Sequence, residues 1–346
     1  MNPYDSAGHI YVNGFGFVSE DPWFRENRAL FKNAVVIGLV LIGILVLPTL
    51  CLYPVRLLLN ILFTPFYYLG GSAYASVGLQ RVYSETERLL LELLAVGIPL
   101  IFAGLLLRPR RKGLFLTRKP SPNLFSGSVA MCMGVWVLCA LVSNLSNSLL
   151  QSIHLVELHP ENSMPNVPAA TLIYLIRVLL IPALLEEFLF RGVILRSLRQ
   201  FGDSFAILVS AVSFGLIHYN LSRDLKGFAL GLALGYFVIR SGSVWTAVGG
   251  RLACLVLSLA SENLPHLFPG QLSSILRAVL FLAVLAISLL AFVRLCRQEA
   301  NPFILSSGHT GTRISVKLGR FFGNIVFLLG AALWIAQIVL HFQIIG

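Results

Sequence analysis

An all-α fold, a polytopic transmembrane helical bundle of about 8–10 membrane helices, is predicted by two features of this 346-residue chain: its scarcity of charge and its long uncharged stretches. Only 12% of its residues are charged and 57% are hydrophobic, with a mean hydropathy of +0.82. Soluble globular chains carry roughly 25% charged residues. Ala34–Tyr53, Ser126–Val156, Phe205–Ser222, Ala278–Val293 and Phe321–Gly346 contain no Asp, Glu, Lys or Arg. A membrane span needs about 20 apolar residues, so several of these stretches suffice alone.

The polar, mixed-charge segment 1–33 is expected to be an N-terminal arm, with no leading apolar stretch that would read as a cleaved signal peptide. Residues 34–346 are expected to form a single membrane domain. Within it, helices are expected near 34–53, 88–107, 126–149, 168–195, 205–219, 227–240, 244–261, 275–293 and 321–343. Leu57–Gln80 is uncharged too, but Pro65, Gly70 and Gly71 make it a poor straight span, so an interfacial or re-entrant segment is expected. Orientation follows from the loops. Arg108–Lys119 carries six basic residues and no acidic one, which places it in the cytoplasm. The loop 151–167 has Glu157 and Glu161 but no Lys or Arg, so it should face outward. Alternation then puts the N-terminus inside and the C-terminus outside.

The net charge of +11 sits in short blocks between apolar segments. With no basic patch joined to a soluble fold, no nucleic-acid partner is expected. The lipid bilayer is the expected partner. Five cysteines form no CxxC pair, so neither a disulfide framework nor a zinc cluster is indicated.

Ionisable groups inside spans cost about 2.5–3.5 kcal/mol each on insertion scales and mark function by default. Here they gather between 177 and 251, as Arg177, Glu186, Glu187, Arg191, His218 and Arg251. Glu187 and Arg191 are four residues apart, hence neighbours on one helix face that can pair. Glu186 points about 100° away, so the pair need not consume its carboxylate. A desolvated carboxylate beside a second one suits a general base. A snorkelling cluster at the membrane boundary would explain the arginines, but not two adjacent glutamates. His218 is the histidine lying within the central apolar region, with Phe214 one turn before it. The short loop 196–204 can bring His218 to Glu186, where carboxylate and imidazole can share a water and make it nucleophilic. His9, His154, His159, His266, His309 and His341 fall in loops, in the arm or near helix ends and are read as solvated or interfacial.

Glu186-Glu187-x-x-x-Arg191 followed by Phe214-x-x-x-His218 resembles the CPBP family of intramembrane proteases, also called the CAAX-protease and bacteriocin-processing, or Abi, family. The resemblance runs on through Gly227–Tyr236 and Arg240–Ala247 and covers roughly residues 168–260. It implies an intramembrane endopeptidase that cleaves a membrane-associated protein or peptide. In that family the first glutamate and the histidine activate water, which correspond to Glu186 and His218; Glu187 and Arg191 would orient the site. The family then carries a histidine and, four residues later, an asparagine or aspartate thought to bind the oxyanion. Arg251 and Leu255 stand there instead. Arg251 can donate to an oxyanion, or it can pair with Glu186 and weaken it as a base. Ser258, seven residues on and on the same face, offers a substitute donor. The alternative function is therefore a catalytically impaired member acting as a membrane binding or regulatory protein. A transporter would call for an inverted repeat, and none is visible. No cofactor is expected; a metal is the alternative at Glu186, Glu187 and His218, although adjacent glutamates diverge on a helix and zinc wants three protein ligands. The basic, disulfide-free chain fits a prokaryotic inner membrane.

Overall fold

The computed structural model describes residues 9–12, 16–19, 22–69, 73–107, 119–152, 154–157, 164–218, 220–268, 270–298, 305 and 312–344. The basic block 108–118, and with it most of the charge that orients the bundle, lies outside the described residues, as do 158–163 and 306–311.

A short hairpin, β1 (His9–Val12) paired antiparallel with β2 (Gly16–Ser19), precedes the helices. The helices are α1 (Pro22–Leu69), α2 (Ala73–Leu107), α3 (Pro122–Ser152), α4 (Pro168–Phe201), α5 (Asp203–Gly215), α6 (Leu221–Ser241), α7 (Val244–Leu267), α8 (Gln271–Gln298), α9 (Ile314–Phe322) and α10 (Ile325–His341). Strand β3 (Leu155–Glu157), after α3, pairs antiparallel with β4 (Phe342–Ile344), after α10.

The helical bundle read from the sequence is present. Among the described residues six helices are long and apolar enough to cross a membrane: α1, α2, α3, α4, α7 and α8. The pair α9 and α10, bent by 67°, makes a seventh if it counts as one span. The segments expected at 205–219 and 227–240 correspond to α5 and α6. At 13 residues α5 is too short to cross, since about 1.5 Å per residue leaves it well under a ~30 Å core. Helix α6 is long enough but opens with Arg223, Asp224 and Lys226. Both are packed within the bundle. Leu57–Gln80, expected as an interfacial or re-entrant segment, is divided between the end of α1 and the start of α2. Helix continues through Pro65 to Leu69, the proline removing one backbone hydrogen bond. Arg56 pairs with Glu87 at 2.9 Å and Tyr83 donates to Asn60 at 2.9 Å, which clamps the two helices together.

The ends of the bundle are fixed by polar contacts. At one end Lys317 on α9 pairs with Glu26 on α1 at 3.1 Å and donates to the Phe201 carbonyl at 3.0 Å. At the other, β3 and β4 join the end of α3 to the end of α10. The start of α1, the end of α4 and α9 therefore share one side, as the alternation of loops requires.

Small residues let α5 and α6 close on each other, which is how helices approach where lipid offers no hydrophobic drive. A Cβ on Gly231 would stand 2.9 Å from the Ala211 Cα. Gly231→Leu is expected to lower stability by about 1–3 kcal/mol through overpacking, read as thermal unfolding in detergent. Large apolar side chains such as Leu105, Leu282 and Leu340 are exposed on the outside of the bundle, the surface that lipid would cover.

Candidate active site

The helix α4 carries the paired glutamates, and it is not a regular α-helix. Residues Ile176–Leu180, Pro182–Glu186 and Phe188–Ile194 run in π-helical turns. Pro182 lacks the backbone N–H an α-helix would use, which fits a loosened ladder here. Wide turns of this kind recur at functional sites. They face α2 and α7, which pack directly on this segment.

Glu186 and Glu187 take different partners, as the 100° between them allows. Glu187 accepts from Arg191 Nη1 at 3.1 Å, and both side chains are 0% exposed. Glu186 Oε2 accepts from Arg251 Nη2, on α7, at 3.1 Å. Among the described residues this is a single contact rather than a two-pronged one, and Arg251 Nε is buried without a hydrogen-bond partner. The ring of Phe214 organises the group. The Arg191 guanidinium lies 4.2 Å and the Arg251 guanidinium 5.1 Å from its centroid. His218 meets the same ring edge-on at 5.4 Å. Cation–π contacts of this kind strengthen when desolvated.

His218 sits in the turn between α5 and α6, held by side-chain contacts to α6. Asp224 Oδ1 accepts the His218 backbone N–H at 3.2 Å. Asn220 caps α6 by accepting from the Arg223 N–H at 2.9 Å. Gly227 leaves the space for the imidazole, since a Cβ there would lie 3.2 Å from His218 Cε1.

These residues open on one cavity of about 330 Å³. Glu186, His218 and Arg251 line it, as do Leu255 and Ser258. Of the residues singled out from the sequence, Glu187 and Arg191 stand behind the wall, joined to it through Phe214. Ser258 donates to Glu262 at 2.8 Å. Among the described residues no group of three or more His, Cys, Asp and Glu side chains is placed to hold a metal ion.

Sequence reasoning passed over part of the lining. Glu92 on α2 borders the cavity and lies 3.8 Å from Arg177, which also pairs with Glu85 at 3.2 Å. The signal was available, because Glu92 is an ionisable group inside the 88–107 apolar segment. Arg223 and Lys226, on the first turns of α6, and Glu262, late on α7, carry no such signal, and they join the lining only because of how the helices pack.

Residues 168–257 match the family described as Type II CAAX prenyl endopeptidase Rce1-like. No curated protein and no solved structure matches the chain significantly. The matched segment runs from the first residue of α4 to the middle of α7 and so contains Glu186, Glu187, Arg191, His218, Arg251 and Leu255. The chain is an integral membrane protein whose central segment is similar to the type II CAAX prenyl endopeptidases, a protease family, and this is the CAAX-protease kinship that its motifs resemble.

Proposed function

We propose that the protein is an intramembrane endopeptidase of the CAAX type, cleaving a membrane-associated protein or peptide with water activated by Glu186 and His218. The observation that carries this reading is the cavity: Glu186 from α4 and His218 from the α5–α6 turn line one polar space inside an apolar bundle. Glu186 takes a proton from water as the water oxygen bonds to the scissile carbonyl carbon, with His218 holding that water. The same proton then passes to the leaving amine as the carbon–nitrogen bond breaks. Arg251, which lines the cavity beside Glu186, is the donor for the developing oxyanion, its contact with Glu186 loosening as the carboxylate takes the proton. Glu187 and Arg191 fix the wall behind. The basic, disulfide-free chain belongs in this proposal to a prokaryotic inner membrane.

A second reading draws on the Glu186–Arg251 contact itself. A guanidinium at 3.1 Å from the carboxylate opposes its taking a proton, which favours a catalytically impaired binding or regulatory member. The two readings part in a cleavage assay on proteoliposomes, with a prenylated CAAX peptide among a panel of membrane-tethered peptides. Wild-type protein is expected to cut and Glu186→Ala and His218→Ala to lose the product. Arg251→Ala is expected to lose about 10²–10³-fold, as when an oxyanion donor is removed. Equal product from wild type, Glu186→Ala and His218→Ala would sink the catalytic reading. A wild-type protein inactive across the panel, with activity appearing in Arg251→Ala, would establish the second.

A further inference from the structure

Asp224 is buried, 5% exposed, and has no part in the mechanism above, yet it is the residue that places His218. It lies in the first turn of α6, where its own N–H donates to the Asn220 carbonyl at 2.7 Å. One carboxylate oxygen, Oδ1, accepts the His218 backbone N–H at 3.2 Å and stands 3.9 Å from the ring's Nδ1. The other, Oδ2, accepts from the Trp334 indole Nε1–H at 2.8 Å. Trp334 belongs to α10, far in sequence from the segment that matches the protease family. Among the described residues Nδ1 of His218 is enclosed without a close hydrogen-bond partner, the Gly215 backbone being another polar neighbour of the ring, while the ring borders the cavity.

An imidazole that works through one nitrogen needs its other nitrogen oriented, because the partner of the second sets which atom carries the proton. A buried carboxylate on the far side of the ring does this in Ser-His-Asp sites. Hydrogen bonds at such sites are commonly long before substrate binds, and 3.9 Å closes with a small turn of the ring. We infer that Asp224 is a positioning residue for His218, selecting the tautomer with the proton on Nδ1 and presenting Nε2 to the cavity, and that Trp334 locks the carboxylate in that orientation. The assignment rests on His218 being the water-holding group. It extends the site beyond the family-matched segment to the last helix.

The decisive measurement is the ¹⁵N spectrum of histidine-labelled full-length protein in detergent, at a pH where the ring is neutral, with His218 assigned by its loss in His218→Gln. Wild type is expected to show a protonated Nδ1 and an unprotonated Nε2. Asp224→Asn keeps the shape; with its amide oxygen held by the Trp334 indole N–H, the amide nitrogen takes the place of Oδ1, gives up the His218 backbone N–H and donates toward Nδ1. It is expected to move the proton to Nε2, and Trp334→Phe is expected to give a mixture of the two forms. With the prenylated CAAX peptide, Asp224→Asn should lose about 10²–10⁴-fold in kcat at nearly constant KM, the upper end being the loss for the same change in a Ser-His-Asp triad. A wild-type His218 already protonated on Nε2, and unchanged in Asp224→Asn, would overturn the proposal. Unchanged resonances in Trp334→Phe would remove Trp334 from it. Because the tautomer is read without substrate, a chain that cleaves nothing would defeat the protease reading while leaving this assignment to its own test.

Discussion

Glu186→Gln is expected to lower the rate of peptide cleavage by about 10²–10⁴-fold, the contribution of a positioned general base. Glutamine has nearly the volume of glutamate and keeps an oxygen for Arg251 Nη2, so the 3.1 Å contact to α7 survives as a hydrogen bond. What it removes is the capacity to take a proton. The loss should therefore fall on kcat and leave KM nearly unchanged, since substrate binding uses the rest of the cavity. Arg251 is left without a full counter-charge, but it borders the cavity and stacks on Phe214, so the stability change should be small beside the kinetic one. Single-turnover cleavage of the prenylated CAAX peptide by variant and wild type, with unfolding temperatures measured in the same detergent, separates the two. A variant that folds like wild type and cleaves at an undiminished rate would take the base assignment away from Glu186.

The sequence made some of this legible and hid the rest, for physical reasons. Spacing alone put Glu187 and Arg191 on one helix face, and the structure joins them at 3.1 Å. Phe214, four residues before His218, packs against the imidazole for the same reason. Such relations are local, and helix periodicity carries them. Arg251 was legible as a charge in the wrong solvent, with Glu186 as one of two roles open to it; that it meets Glu186 at 3.1 Å depends on how α7 packs against α4. Asp224 and Trp334 were out of reach, since 110 residues separate them and neither belongs to a motif. The π-helical stretch of α4 was likewise hidden, because Pro182 announces a disturbed ladder without saying how the helix absorbs it. At Leu57–Gln80 the sequence shows the break, since helix α1 ends at Leu69 and α2 starts at Ala73, but not the Arg56–Glu87 and Tyr83–Asn60 contacts that tie the two helices together.

The largest effect on stability is expected from Arg191→Met, a loss of about 3–5 kcal/mol, the cost of removing one partner of a buried ion pair. Neither Arg191 nor Glu187 has any exposed surface, so the abandoned carboxylate would have no water to turn to. Neutral hydrogen bonds between membrane helices contribute only about 0.6 kcal/mol on average. A drop several times larger would therefore mark a stranded charge and not a missing hydrogen bond. The double variant Glu187→Leu with Arg191→Met tests this, because replacing a whole buried pair with apolar side chains is commonly neutral or stabilising. It is expected to recover most of the unfolding temperature lost by Arg191→Met alone. Cleavage should not recover with it. Arg191 lies 4.2 Å from the centroid of the Phe214 ring that also carries Arg251 and His218, and without the guanidinium that ring loses its support on one face. A double variant that regains both stability and full activity would show that the pair holds the fold and has no hand in placing the site.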